Sequence, residues 1–159
     1  MDKIIEILKE DSRATAKDIS VMLGISEQEV VEKIKKLEED NIILKYTAII
    51  NEEKWENDKV KAFIEVKVTP ERERGFDAIA ERINKFPQVS SLYLMSGGFD
   101  FLIVVEGDSL KEVAMFVSEK LSTLECVVST STHFLLKKYK EKGVIMSGEE
   151  EDKRMSVSP

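Results

Sequence analysis

The segment from Ser26 to Asp40 carries side chains that are suited to contacting a nucleic acid. An amide such as that of Gln28 can pair bidentately with adenine, and lysines contact phosphate oxygens. Ser26 stands where a helix would begin, which is the end that meets base edges in a helix-turn-helix. The candidate DNA contacts are Ser26, Gln28, Lys33, Lys35, Lys36 and Lys45. A packing unit without a ligand, whose lysines only pair with nearby glutamates, explains the same pattern.

A glycine pair, Gly97-Gly98, marks a second candidate site. Glycines leave backbone amides uncovered by side chains, and such amides are a good receptor for a small carboxylate. Asp100, which follows closely, could accept hydrogen bonds from an ammonium group. An ordinary hairpin in which Asp100 caps the turn is the alternative.

The composition argues against catalytic and metal chemistry. The 159 residues include a single cysteine, Cys126, and a single histidine, His133. They cannot form an internal disulfide, a conventional zinc site or a Cys-His dyad within one chain. No acid, base and nucleophile stand in a recognisable constellation. We therefore expect no enzyme, no catalytic residue, no cofactor and no metal.

Helical periodicity positions the first candidate site. Apolar residues recur at spacings of three and four in three segments of the first fifty residues, which predicts three amphipathic helices. Their apolar stripes are Ile4, Ile5 and Leu8, then Ile19, Met22 and Leu23, then Val30, Val31, Ile34 and Leu37. Capping-box spacing at Thr15/Asp18 and at Ser26/Glu29 begins the second and third helices. Gly24 provides the sharp turn between them.

Alternating periodicity positions the second site. From Val60 the pattern predicts a strand, a helix, two strands joined at Gly97-Gly98, a helix and a last strand. The order β-α-β-β-α-β is the ferredoxin-like motif. The predicted fold class is α+β, with a three-helix helix-turn-helix domain (1–45), an extended β linker (46–59), a ferredoxin-like βαββαβ domain (60–138) and a polar, disordered tail (139–159).

The open face of the predicted sheet indicates self-association. Six apolar side chains would be exposed there in a monomer, namely Phe63, Tyr93, Met95, Phe101, Ile103 and Leu135. Such a patch is larger than monomers usually expose, so we expect a homodimer or a higher homo-oligomer. No stretch approaches the roughly 20 apolar residues of a membrane span, and the charged start does not resemble a signal peptide. We expect a cytoplasmic protein without a membrane partner.

Motifs in both halves resemble those of the Lrp/AsnC (feast/famine) transcription regulators. The helical half carries Asp2, Arg13, Leu23-Gly24-Ile25-Ser26, Leu37-Glu38-Glu39, Ile42-Ile43 and Tyr46-Thr47-Ala48. The second half resembles the effector-binding and assembly domain of that family, with Gly97-Gly98-Phe99-Asp100 where its Gly-acidic-aromatic-Asp motif occurs. The resemblance covers, in order, the chain from Asp2 to Lys138.

This resemblance implies that an amino acid or a related metabolite binds between subunits near the glycine loop. The implied effector-binding residues are Gly97, Gly98, Phe99, Asp100, Thr130 and Thr132. The two threonines match hydroxyl-bearing positions of the family, and edge-strand threonines are the alternative. Two departures concern the sites: Gly98 replaces an acidic residue, and Lys33 replaces the usual arginine.

Two functions follow from these patterns. The first is a sequence-specific DNA-binding transcriptional regulator whose assembly and DNA affinity respond to a small effector such as an amino acid. The alternative is an effector-sensing or scaffold protein with a degenerate helix-turn-helix. The acidic charge suggests this alternative, because residues 27–40 contain six acidic and three basic side chains and the whole chain has a net charge of −7. DNA-binding modules usually present a basic surface.

Overall fold

The computed structural model describes residues 2–55, 58–70, 72 and 74–146. The chain divides into two compact units, Met1–Ile50 and the part that begins at Asn51. This division falls inside the predicted linker, 46–59. Each unit has its own hydrophobic core, so each can hold its side chains in place independently of the other.

The first unit forms the three predicted helices within its described residues: α1 (Lys3–Glu10), α2 (Ala16–Leu23) and α3 (Glu27–Glu39). The capping box of Thr15 and Asp18 is complete, and Gly24 ends α2 in a left-handed conformation with φ 67°. Both predictions are confirmed. Ser26 accepts a hydrogen bond from the Glu29 amide, but the Glu29 carboxylate pairs with a lysine instead of completing a second box.

The core of the first unit is narrower than the predicted apolar stripes. Ile4, Ile19, Val30 and Leu37 are its buried residues. Met22 and Val31, both predicted to belong to the stripes, are 64% and 51% exposed. Each helical residue is rotated by about 100° from the one before it, so Val31 cannot share the buried face of Val30.

The second unit has the predicted β-α-β-β-α-β order, which confirms the fold class. Its elements are β1 (Val60–Val68), α4 (Asp77–Ile83), β2 (Val89–Leu94), β3 (Phe101–Gly107), α5 (Leu110–Phe116) and β4 (Val127–Phe134). A turn of wider π-type helix, Val117–Leu121, continues α5. Within the described residues the antiparallel sheet has the order β2-β3-β1-β4, so β1 and β3 are central.

Alternation along the strands divides the sheet into a buried face and an outer face. On β1 the buried side chains are Ala62, Ile64, Val66 and Val68, which pack with residues of α4 and α5. Phe101 and Ile103 were predicted on the outer face, and this prediction is wrong: they are 1% and 0% exposed. Because Phe101 lies opposite Val66 and Ile103 opposite Ile64, all four side chains share the buried face.

The middle of the predicted linker and the start of the predicted tail contact the second unit. The Asn51 side-chain amide donates to the Met146 carbonyl at 2.9 Å. The Glu52 carboxylate lies 3.2 Å from the Lys138 ammonium and 3.8 Å from that of Lys61. These contacts hold residues 51 and 52 against the unit, although the sequence predicts a solvated linker there.

The predicted disordered tail, 139–159, is wrong in its first part. Strands β5 (Lys140–Glu141) and β6 (Val144–Ile145) pair antiparallel as a hairpin. Its two central residues, Lys142 and Gly143, have φ of 45° and 88°, as a tight two-residue hairpin loop requires. Residues 147–159 of the predicted tail lie outside the described residues.

The predicted extended segment after α3 has no strand partner among the described residues. It is anchored at its start by the Ile42 and Ile43 amides, which donate to the Leu37 carbonyl at 2.9 and 3.0 Å. Further along, the Tyr46 hydroxyl donates to a Glu38 carboxylate oxygen at 2.9 Å. This bond ties the segment to the last turn of α3, the helix that carries the first candidate site.

We predict that Tyr46→Phe lowers the free energy of unfolding by about 0.5–1.5 kcal/mol, since one hydrogen bond is lost. Burial, and then the hydrogen bond to Glu38, raise the pKa of Tyr46 above its ordinary 10.0. The folded chain thus favours the neutral phenol. The contribution of Tyr46 to the free energy of unfolding is fully present below the pKa of the unfolded chain, and it is lost as the pH rises through the higher pKa of the folded chain.

Urea denaturation, followed by helical circular dichroism from neutral pH to about pH 11, checks this prediction. The difference between wild type and Tyr46→Phe should narrow at the alkaline end. Tyr139→Phe, a matched change at an exposed tyrosine, should keep the wild-type stability. A Tyr46→Phe difference that is independent of pH would contradict the proposed cause.

Candidate functional site

The outward face of α3 is set by what the helix buries. Val30 and Leu37 point into the core of the first unit. At about 100° per residue, Gln28, Glu32 and Lys35 therefore lie on the opposite, exposed side. This face presents an amide, a carboxylate and an ammonium group within three turns of helix, a combination that can hydrogen-bond base edges and phosphates.

Two of the predicted DNA contacts, Gln28 and Lys33, pair with glutamates of the same helix. The Gln28 side-chain nitrogen donates to Glu32 at 3.2 Å. The Lys33 ammonium lies 2.7 Å from Glu29, and the hydrogen bond raises the pKa of Lys33. These side chains are exposed, so solvent screens each contact and a phosphate can compete for the lysine.

The other predicted DNA contacts are placed around the same helix. Ser26 is the N-cap, and its hydroxyl accepts from the Glu29 amide at 3.2 Å. Lys35 is 3.6 Å from a glutamate at the end of the helix. Lys36 and Lys45 are exposed, and the described part of the chain places neither of them in an ion pair. These two lysines are the most available for a phosphate.

Two residues of the outward face were missed by the sequence analysis. The apolar pattern predicts that Val31 belongs to the buried stripe, and the charge pattern shows Glu32 only as an unfavourable charge near DNA. Both lie one turn from Gln28, at three and four residues' distance. The signal that could have found them is the helical phase, once Val30 is known to be the buried member of the Val30-Val31 pair.

The second unit contains a cavity of about 330 Å³ between the outer face of the sheet and the glycine loop. Its lining residues are Glu65, Lys67, Gly98, Phe99, Ser129, Thr130 and Ser131. Glu65 and Lys67 alternate with buried residues on β1 and so point to the same side. The cavity thus offers a carboxylate, an ammonium group and hydroxyls to one ligand, which suits a small zwitterion.

The structure brings only part of the predicted effector site to this cavity. Gly98, Phe99 and Thr130 line it, and Gly97 adjoins it in the loop. Thr132 lies opposite Ile64 and Thr130 opposite Val66, so both threonine side chains belong to the helix-covered face of the sheet, and Thr130 borders the cavity through its position on β4. One Asp100 carboxylate oxygen accepts from the Val68 amide at 2.9 Å, which occupies it within the fold.

The glycine loop itself differs from the predicted turn. The Met95 amide donates to the Asp100 carbonyl at 2.8 Å, which closes a loop over residues 96–99. Neither Gly97 nor Gly98 has a positive φ, and a Cβ on either would meet nothing within 4 Å. The backbone therefore does not require glycine there. The absence of side chains at these two positions leaves open space beside the cavity.

Glu65, Lys67, Ser129 and Ser131 are functional candidates that the sequence analysis did not name. A Glu65 carboxylate oxygen also lies 3.6 Å from Nε2 of His133, so the histidine ring is next to the carboxylate that lines the cavity. The alternation on β1 predicts that Glu65 and Lys67 are on the polar face of the strand. Their meeting with Ser129 and Ser131 depends on the antiparallel pairing of β1 with β4, in which Lys67 lies opposite Ser129 and Glu65 opposite Ser131.

Metal ligation is not supported within the described residues. No group of three or more histidine, cysteine or acidic side chains there is placed to hold a metal ion. Cys126 is half-buried beside the core of the second unit. Among the helices of the described part, none has the length and apolar character of a membrane span.

Comparisons with known proteins match both units. The model of the AsnC-type helix-turn-helix domain matches residues 2–38, and that of the Lrp/AsnC ligand binding domain matches residues 61–145. An uncharacterized HTH-type transcriptional regulator of Bacillus subtilis, YugG, is 51% identical over 158 residues, which are 99% of this chain and 95% of the relative.

Two further similarities bear on the activity of relatives. The proline dehydrogenase transcriptional activator of Rhizobium radiobacter is 30% identical over 142 residues, 89% of this chain and 90% of that protein. A transcriptional regulator of Neisseria meningitidis, solved as a complex with L-methionine, is similar with a TM-score of 0.69 and 27% identity. That match covers 87% of this chain and 89% of the other.

We predict that Asp100 is required for the fold of the loop. Asp100→Ala should lower the free energy of unfolding by about 1–3 kcal/mol, because it leaves the partly buried Val68 amide without its acceptor. Asp100→Asn should cost less, since an amide oxygen can still accept this bond. Urea denaturation measures both variants, and equal losses for alanine and asparagine would contradict the role of the Val68 contact.

Proposed function

Because the chain belongs to the Lrp/AsnC family of transcriptional regulators, we propose that α3 contacts double-stranded DNA and that the cavity beside Lys67 binds a free amino acid. The protein is an effector-responsive DNA-binding regulator and not an enzyme. The single observation that carries the DNA contact is the exposed face of α3, opposite the buried Val30 and Leu37. The proposal places the protein in the cytoplasm, together with its DNA.

The roles on the DNA follow from position. Gln28 faces outward near the start of α3, where side chains of a recognition helix meet base edges. Lys35, Lys36 and Lys45 contact phosphates. Lys36 and Lys45 form no ion pair within the described part of the chain, so no ion pair has to break before they bind a phosphate. Ser26 places the start of α3 against the backbone of the DNA. Lys33 lies beside the buried stripe, and its pairing with a glutamate makes it a secondary phosphate contact.

A second copy of the chain is the proposed occupant of the outer sheet face. Phe63 and Tyr93 remain partly exposed there, and Leu102 lies opposite Tyr93 on β2 and opposite Glu65 on β1. Covering this apolar surface favours a homodimer or a larger homo-oligomer. A dimer links two helix-turn-helix units, which raises their effective concentration on a pair of half-sites and offsets the acidic charge of each unit.

The effector proposal rests on the charges of the cavity. The Lys67 ammonium suits an α-carboxylate, and the Glu65 carboxylate suits an α-ammonium group. The related regulator of Neisseria meningitidis was solved with L-methionine, so methionine is the first ligand to test. An amino acid that binds one assembly more tightly than another shifts the population, and with it the DNA affinity.

An effector-sensing scaffold without DNA binding is the second candidate function. It is favoured by the charge of residues 1–50, which include 8 basic and 11 acidic side chains. Selection of bound duplexes from a random pool distinguishes the two functions. A recovered palindrome with half-sites spaced by about one helical turn supports the regulator, whereas a pool without enrichment supports the scaffold.

We predict that Lys35→Ala and Lys45→Ala each weaken binding about equally on all DNA sequences. Each should reduce the slope of log affinity against log salt by about 1, because one fewer counterion is released. Fluorescence anisotropy over a salt series measures this slope. Lys111→Ala, which removes the same charge from α5 of the other unit, should leave the slope unchanged, and an equal effect of all three changes would refute the phosphate contacts.

We predict that Lys67→Ala weakens methionine binding by about 10- to 100-fold, through the loss of a charge-assisted hydrogen bond. Isothermal titration calorimetry with L-methionine measures the affinity, and Lys85→Ala, an exposed lysine after α4, is the matched control. Methionine methyl ester, which lacks the free carboxylate, should bind the wild type as weakly as methionine binds Lys67→Ala. Unchanged affinity in Lys67→Ala would place the ligand elsewhere.

A further inference from the structure

Glu32 occupies the centre of the outward face of α3. It follows Gln28 by four residues and precedes Lys35 by three, so all three share the side opposite the buried Val30 and Leu37. The Gln28 side-chain nitrogen donates to a Glu32 carboxylate oxygen at 3.2 Å. This contact joins the two side chains into one exposed pair at the part of α3 that reaches base edges.

Other carboxylates of α3 serve the helix itself. Glu29 lies in the first turn and pairs with Lys33 at 2.7 Å, and Glu39 pairs with Lys35 at 3.6 Å. Glu32 lies beyond the first turn, where the helix dipole no longer favours a negative charge. Within the described part of the chain, its hydrogen-bond partner is the neutral amide of Gln28. Capping, dipole and ion pairing therefore leave this charge unexplained.

A carboxylate on a DNA-reading face is selective because of what it repels. It is unfavourable beside phosphates and beside the acceptor atoms of guanine, but it accepts a hydrogen bond from an exposed base amino group. In the major groove the amino group of cytosine has an acceptor on one side only, the O6 of its paired guanine, whereas the amino group of adenine lies between two acceptors, its own N7 and the O4 of the paired thymine. A carboxylate in this position thus favours cytosine.

Gln28 strengthens the same preference. Because its nitrogen donates to Glu32, its amide oxygen is turned away from that bond and adds a second acceptor to the face. We propose that Glu32, positioned by Gln28, is a specificity-determining residue that selects a cytosine in each half-site. This inference rests on the proposed function, namely that α3 enters the major groove.

The test compares the duplexes that wild type, Glu32→Gln and Glu39→Gln select from a random pool. Both variants remove one negative charge from α3, and the two positions are seven residues, about two turns, apart. We expect wild type to require cytosine at one position of each half-site and to lose about 5- to 100-fold in affinity when that base is changed. Glu32→Gln should reduce this loss to about 2-fold or less and accept adenine, with which an amide pairs bidentately. Glu39→Gln should keep the cytosine.

The outcomes separate this inference from the function on which it rests. If wild type enriches a motif and Glu32→Gln enriches the same motif with the same penalties, the role of Glu32 is overturned while DNA recognition stands. If both variants lose the same base preference, the effect belongs to the charge of the helix, and the role of Glu32 is again overturned. If wild type enriches no sequence at all, the proposed function itself fails.

Discussion

One-sided burial of short helices and strands sets the direction of each functional side chain in this protein. On α3, the burial of Val30 and Leu37 leaves Gln28 and Glu32 facing outward. On β1, the same rule acts with a period of two residues: burial of Ile64 and Val66 directs the residues between and after them, Glu65 and Lys67, to the outer face. The two sites therefore follow from the same constraint, applied to two periods.

Local pairing of charges then decides which of the outward groups are available. Glu29 holds Lys33, and the Val68 amide holds one oxygen of Asp100. By contrast, Lys67 lines the cavity and Lys36 is exposed without an ion pair in the described part of the chain. An acidic helix-turn-helix weakens non-specific attraction to phosphates, so its binding depends more on base contacts than that of a basic one.

The proposed effector cavity and the proposed dimer surface lie on the same face of the sheet. Glu65 and Lys67 follow Phe63 at every second residue of β1, and all three point away from the core. A ligand in the cavity therefore changes the charge and shape of a surface beside the one that a second copy would cover. This adjacency is a physical route from effector binding to assembly, in which the two equilibria are linked reciprocally.

Local signals in the amino-acid sequence were sufficient for the helix caps at Thr15 and Ser26, the order of elements and the family. These depend on neighbours within a few residues, or on motif order along the chain. Long-range packing set the rest: Phe101 faces inward, Thr132 faces away from the cavity, and Lys67 meets the hydroxyls of β4. A hydrophobic pattern indicates that a strand has a buried face, but the register with its partners determines which side chains share that face.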